Sequence, residues 1–445
     1  MGEDIFTVRD HFLSLFQSAA DEVAHRAAGV EPGAGRRLGL DNDIVRAAAK
    51  LAELKTGGLE APELAPEGVD QDAWTCAKLA LELMEAKATG DTTSAERLEN
   101  ELKASPCDPG WADTIIQYLE FFGPDGTRRA IPYVRAATVG ATVLEIKPDA
   151  CVAVIGDWGT GMSGAVRVLQ DIQNRNPDVV IHLGDIYYSG TADECTEHFL
   201  EIVDGVFDRA HTKIPVFTLS GNHDMYSGGV GYYELIKKLN APPLRQPASF
   251  FCLRSTDKKW QWLAMDTGLH DYNPFSVGDA VTFLEPDEEQ WLLDRITGFP
   301  GRTILLSHHQ LFSAFSKIGP PAPDGSLNPR NPKLLASFNK FKAAGRIAAW
   351  FWGHEHNLCI FEPYAGLDFG RCIGHGAVPV LISEDPYQVP AGMKNAPKVV
   401  ANTGLATQDQ VYAHGYAFVS LAGDKANVQY FQFGAAKELI FSEVI

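Results

Sequence analysis

Apolar positions recur at helical spacing through the first quarter of the chain and at strand spacing through much of the rest. Phe12, Leu15, Phe16, Ala19, Ala20 and Val23 share one face of a helix that Thr7 and Asp10 would cap. A Gly- and Pro-rich break, Gly29 to Gly39, ends it. Ile44, Val45, Ala48, Leu51, Ala52 and Leu54 continue the pattern as far as Gly57–Gly58, and a third amphipathic run extends from about Asp70 to Lys87. Thr93 with Glu96 has the form of a capping box before a short helix. Trp111 to Phe122 gives a last helix, closed by Gly123–Pro124–Asp125–Gly126. Residues 1–125 thus read as an all-α domain, a bundle or cap without a cysteine or histidine cluster or a phosphate-cradling glycine loop.

Residues 126–150 form a connecting segment with strand-like Val and Ile and a turn at Pro148–Asp149. From Cys151 the texture changes. Strand-like runs at Val152–Ile155, Val179–Leu183, Val216–Ser220, Trp262–Asp266, Thr303–Ser307 and Ala348–Trp352 alternate with helical runs. The helical runs are Gly164–Asn176, Asp193–Val206, Gly231–Leu239, Asp287–Ile296 and Lys333–Ala344. Tyr416–Leu421, Asn427–Phe433 and Glu438–Phe441 read as closing antiparallel strands. Alternation of this kind predicts layered α/β architecture over residues 151–445.

Composition adjusts this picture only in part. A chain of 445 residues exceeds one ordinary core, which agrees with two domains. The net charge of -19 opposes a nucleic-acid coat or an anionic membrane surface. It leaves a phosphate substrate open, because bound metal ions would dominate the local field. No apolar stretch reaches membrane-spanning length. Met1–Gly2–Glu3–Asp4–Ile5 has neither the basic region nor the apolar core of a secretory signal, so a cytoplasmic protein is expected. Cys76, Cys107, Cys151, Cys195, Cys252, Cys359 and Cys372 form no short-spaced pair, so buried reduced thiols are expected rather than a disulfide framework or a zinc ribbon.

The candidate chemistry lies where apolar runs end. Asp157 follows the first strand between glycines, in Gly156–Asp157–Trp158–Gly159. Gly184–Asp185–Ile186–Tyr187–Tyr188, Gly221–Asn222–His223–Asp224, Ser307–His308–His309 and Gly353–His354–Glu355–His356 follow in order. Open α/β sheets bind ligands at the carboxyl ends of their strands. Two carboxylates brought together there repel unless a cation lies between them. Asn222 adds an amide oxygen, and the histidines add imidazoles suited to transition ions. The set is large enough for two metals sharing one carboxylate, the arrangement that clamps both oxygens of an in-line phosphoryl displacement.

In order and spacing these clusters resemble the calcineurin-like metallophosphoesterases. Within that superfamily they look most like the purple acid phosphatases, whose pattern runs GDxG, GDxxY, GNH(D/E), VxxH, GHxH. Gly159 stands where most of the superfamily carries a histidine, and Tyr188 stands at the tyrosine of GDxxY. The resemblance implies a four-layer α/β/β/α sandwich preceded by the all-α domain. It implies Fe(III) held by Asp157, Asp185, Tyr188 and His356. A divalent ion (Fe, Zn or Mn) would be held by Asp185, Asn222, His308 and His354. His223 would bind the phosphoryl group or protonate the leaving oxygen. His309 is a further catalytic candidate and His270 a candidate substrate contact.

The expected function is a phosphomonoesterase of small phosphoesters, with a metal-activated water attacking in line. The alternatives are a Mn- or Zn-dependent phosphodiesterase of nucleotides or lipid head groups, and a binding or regulatory protein on the same scaffold. The helical domain is the expected site of any partner or oligomer contact.

Overall fold

In the computed structural model the described residues are 71–104, 110–123 and 126–445, leaving out 210, 213, 275–279, 409 and 410, with a few isolated positions between 47 and 66. The helix expected over residues 12–23 lies outside them, as does nearly all of the one expected over 44–54.

The chain forms two compact units. The first takes in Met1–Glu120, Pro379–Glu384 and Asp409–Val411. Its described helices include α1 (Gln71–Thr89) and α2 (Thr92–Ala104), with most of α3 (Gly110–Phe122). Leu79, Leu83 and Ala86 of α1 recur at helical spacing and bury against Leu98 of α2. Asp91 caps α2, its Oδ1 accepting the Ser94 N–H at 3.1 Å. Thr93, expected at the cap, therefore lies inside the first turn. Cys76 is disulfide-bonded, which corrects the expectation of reduced thiols throughout. Sequence spacing does not reveal pairing that tertiary proximity decides. Cys151, Cys195, Cys252, Cys359 and Cys372 are free. Among the described residues no helix is long and apolar enough to cross a membrane.

The second unit comprises Phe121–Val378, Asp385–Gln408 and Tyr412–Ile445. Its strands are β1 (Leu144–Ile146), β2 (Cys151–Ile155), β3 (Val179–His182), β4 (Val216–Thr218), β5 (Phe251–Ser255), β6 (Trp260–Ala264), β7 (Arg302–Leu306), β8 (Ile347–Trp352), β9 (Leu358–Ile360), β10 (Gly370–Ile373), β11 (Gly415–Ala422), β12 (Lys425–Gln432) and β13 (Leu439–Val444). They form a seven-stranded sheet, β1-β5-β6-β7-β8-β10-β9, and a six-stranded sheet, β13-β12-β11-β2-β3-β4. Its longer helices are α4 (Ser163–Asn174), α5 (Val230–Leu239), α6 (Pro286–Ile296) and α7 (Pro332–Ala344). The helix expected over 193–206 is a composite: Ala192–Glu194, a π turn at Cys195–Leu200, then Glu201–Val206.

The layers follow from which faces are apolar. Val152, Val154, Val179 and Ile181 of the smaller sheet share one core with Leu253, Trp262, Ile304, Leu306 and Phe351 of the larger. The outer face of the smaller sheet packs Ala153 and Ile155 against Leu169 and Ile172 of α4, Phe199 of the π turn and Leu235 of α5. The outer face of the larger packs Leu263, Leu305 and Trp350 against Trp291 and Leu292 of α6 and Leu334 and Phe338 of α7. The unit is thus an α/β/β/α sandwich of mixed sheets. Arg371 of β10 joins the two sheets, its guanidinium bonding both Glu443 oxygens of β13 at 2.8 and 2.6 Å.

Parallel register brings the predicted clusters to common edges. Ile155 pairs with His182, and His182 with Thr218. The segments leading to Asp157, Asp185 and Asn222 therefore leave the smaller sheet side by side. Ala264 pairs with Leu306, and Leu306 with Phe351, so the segments carrying His308 and His354 leave the larger sheet together.

Candidate metal centre

The loops at these strand ends hold unfavourable backbone conformations. Asp157, Asp185 and His354 have φ of 54°, 75° and 68°, a region that L-residues enter only when their surroundings compel it. The compulsion is visible. Asp157 N–H donates to Gly184 O at 3.1 Å. Asp185 N–H donates to Asp224 Oδ2 at 2.9 Å, and His354 N–H donates to Asp157 Oδ2 at 2.9 Å. Gly353 is obligatory here, because a Cβ would stand 2.6 Å from Asp157 Oδ2.

Electron pairs from six residues converge between the loops. His308 hydrogen-bonds Leu183 O through Nδ1 at 3.0 Å, which turns Nε2 inward. That nitrogen is 3.1 Å from Asn222 Oδ1, 3.3 Å from His354 Nδ1 and 3.4 Å from Asp185 Oδ2. Asn222 donates from Nδ2 to Tyr226 Oη at 2.6 Å, so its oxygen is the atom turned to His308 and to His354 Nδ1, at 3.0 Å from the latter. His356 Nε2 is 3.5 Å from Asp157 Oδ1. All but the two GHxH histidines are buried. Acceptors facing acceptors at these distances repel unless a proton or a cation sits between them. Two ligating groups satisfy close metal-site spacing, Asp157–Asp185–His308 and His308–His309–His354. Carboxylate, amide oxygen and imidazole together suit first-row transition ions.

The field points the same way. Burial pushes the Asp157 carboxyl well above its ordinary range, and Asp185 adds to this. Asp185 is just as buried, but His308, His223 and His354 hold it well below the ordinary range. Burial works against a proton on His308, yet Asp185 and Asp157 bring its pKa up to about 9. A pocket that draws a proton onto a buried imidazole also draws a metal cation.

His223 hydrogen-bonds Tyr188 O through Nδ1 at 2.7 Å, and its Nε2 is 3.9 Å from Asp185 Oδ2. Burial lowers its pKa. His309 packs 4.5 Å from the His354 ring but has both nitrogens engaged, with Thr267 Oγ1 and Asp271 Oδ2, each at 3.1 Å. The ring of His270 is turned to other partners: it stacks on Phe283 at 3.6 Å and meets Glu285 Oε1 at 3.0 Å.

Sequence reasoning passed over Tyr187. It is fully buried, and its hydroxyl is 3.2 Å from Asp157 Oδ1, 3.1 Å from Asp185 Oδ2 and 3.0 Å from His356 Nε2. Burial and the two carboxylates push this phenol well above its ordinary pKa. Glu194 was also missed. It stands three residues after Thr191, the spacing of a capping box, which the structure forms.

Residues 152–358 match the family model described as Calcineurin-like phosphoesterase. This part of the chain carries the domain that the model describes. The phosphoesterase domain carries weaker likenesses as well. Tartrate-resistant acid phosphatase type 5 of Rattus norvegicus is 24% identical over 265 residues, covering 54% of this chain and 74% of the rat protein. The Homo sapiens protein of that name is 22% identical over 306 residues, covering 62% and 86%. Among solved structures, "Structure of PhoD" is similar with a TM-score of 0.44 and 12% identity, covering 67% of this chain and 68% of that one. "GAP50 the anchor in the inner membrane complex of Plasmodium" gives a TM-score of 0.43 and 14% identity, covering 67% and 88%.

Proposed function

We propose that the chain is a two-metal phosphoester hydrolase of the purple-acid-phosphatase type, acting on small phosphomonoesters. The observation that carries the reading is the convergence of Asp185, Asn222, His308 and His354 on a shared space, with Asp157 and His356 beside it. One metal would be held by Asp157, Asp185 and His356, and a second by Asp185, Asn222, His308 and His354. A metal pair so held supplies an activated water and clamps the attacking and leaving oxygens.

The protein's own groups do the rest. The Asp185 carboxylate lies between the two positions and fixes their separation. His223 Nδ1 is committed to the Tyr188 carbonyl, which turns Nε2 toward Asp185 Oδ2, 3.9 Å away. There it holds a phosphoryl oxygen or delivers the proton that the leaving oxygen needs. His309 has both nitrogens occupied and braces His354 rather than exchanging protons. Hard donors at the first position favour Fe(III), and imidazoles at the second favour a divalent ion.

The test is turnover of an aryl phosphate by metal-reconstituted protein, set beside a bis-aryl phosphate and a cyclic nucleotide. The monoester is expected to be the fastest of the three. Asn222→Ala and His308→Ala are expected to lower that rate by at least about 100-fold. Preference for the diesters would move the assignment to a phosphodiesterase. Absence of turnover with all three, in protein that holds metal, would point to a binding role.

A further inference from the structure

Adjacent tyrosines follow Asp185, and family spacing would choose Tyr188. The structure assigns the phenol ligand of the first metal to Tyr187 instead, one residue earlier. The inference rests on the two-metal reading and deepens it.

Three contacts define the place of the Tyr187 hydroxyl. It lies within hydrogen-bond distance of Asp157 Oδ1, Asp185 Oδ2 and His356 Nε2, the three groups proposed to hold the first ion. A phenol has one proton and can donate to one of these at a time. The other two then face its lone pairs. A cation bound by all four oxygens and nitrogens removes that conflict. Binding through this oxygen would replace the phenol proton, which would leave to solvent as the oxygen–metal bond formed. The resulting phenolate is a hard anionic donor, matched to a trivalent ion.

The loop is held so that the two tyrosines cannot exchange places by a one-residue slip. Tyr187 N–H donates to Gly159 O at 2.9 Å. The Tyr187 carbonyl meets His198 Nδ1, on the π turn, at 2.7 Å. The Glu194 carboxylate accepts the N–H groups of Tyr188, Ser189 and Thr191. Tyr188 O meets His223 Nδ1 at 2.7 Å. Moving Tyr188 into the site breaks this whole set. The side chain of Tyr188 is half-buried, whereas that of Tyr187 is enclosed.

The experiment reconstitutes wild type, Tyr187→Phe and Tyr188→Phe with ferric iron and zinc, then reads bound metal and the visible spectrum. Wild type is expected to hold both ions and to show a phenolate-to-iron charge-transfer band. Tyr188→Phe is expected to keep that band at full intensity, and Tyr187→Phe to lose it while keeping zinc. Loss of the band in Tyr188→Phe would overturn the assignment, and so would iron-loaded wild type without a band. Tyr188→Phe decides the matter even if Tyr187→Phe does not fold. Wild type that takes up no metal would overturn the two-metal reading itself, an outcome distinct from a tyrosine exchange.

Discussion

Gly159 lies so close to Ile186 that a Cβ on the glycine would stand 2.9 Å from the Ile186 Cα and 2.9 Å from the Asp185 carbonyl oxygen. The two residues also form an isolated parallel bridge. This contact explains why a residue that resembles a ligand position is empty of side chain. The Asp185–Tyr187 backbone occupies the space a histidine would need, and the Tyr187 phenol reaches the carboxylates instead.

Gly159→His is therefore expected to supply no new ligand. It would push Asp185 away from its place and cost roughly 1–3 kcal/mol of stability through overpacking. Urea unfolding and metal titration check this together. A variant as stable as wild type with equal or tighter metal binding would show that the contact is not the constraint.

Arg371 and Glu443 form the buried pair that ties the two sheets, and Tyr430 Oη adds a bond to Glu443 Oε1 at 2.6 Å. Removing one partner strands the other in the interior. Arg371→Ala is expected to cost about 3–5 kcal/mol, whereas replacing both charges with Met and Leu costs much less. A double-mutant cycle from denaturant unfolding measures the difference. A double-variant loss equal to the sum of the two single losses would mean that the pair is not coupled.

Stability should fall in mild acid. His375 is buried with Nε2 at 3.1 Å from Phe431 O, and burial lowers its pKa to about 4. His182 is similarly pushed down to about 3. Both stay neutral in the fold, while the unfolded chain takes up a proton near its ordinary value of about 6.5. The unfolded state thus binds more protons between these values. The stability is fully present above about pH 6.5 and is lost progressively toward pH 4, by on the order of 3 kcal/mol for His375. Unfolding free energies from pH 7.5 to 5 check this. The slope should flatten in His375→Gln, and an unchanged slope would count against it.

Much of this architecture was legible in the chain. The strands that deliver the clusters lie in β-branched or aromatic runs that end in glycine or a polar residue, and their observed ends lie within two residues of those expected. Those strands place Asp157, Asp185, Asn222, His308, His354 and His356 together because all the segments leave their sheets in register. Weaker strands were not legible. Leu144–Ile146 has the exposed Glu145 at its centre, and Gly370–Ile373 contains Arg371, whose charge only tertiary pairing with Glu443 neutralises. The tyrosine was not legible either. Neighbouring residues in an irregular loop point to different sides, and what chooses between Tyr187 and Tyr188 is the grip of Glu194 and His198 on the backbone. The Cys76 disulfide was hidden because sequence spacing does not show which cysteines the fold brings together.

The most direct measurement is the number of metal ions bound per chain, by elemental analysis after reconstitution with ferric iron and zinc and removal of loose ions. Two ions per wild-type chain are predicted, with Asp185→Asn losing both and His308→Ala keeping only the one beside Asp157. A wild-type chain that holds one ion or none, or an Asp185→Asn chain that still holds two, would contradict the account.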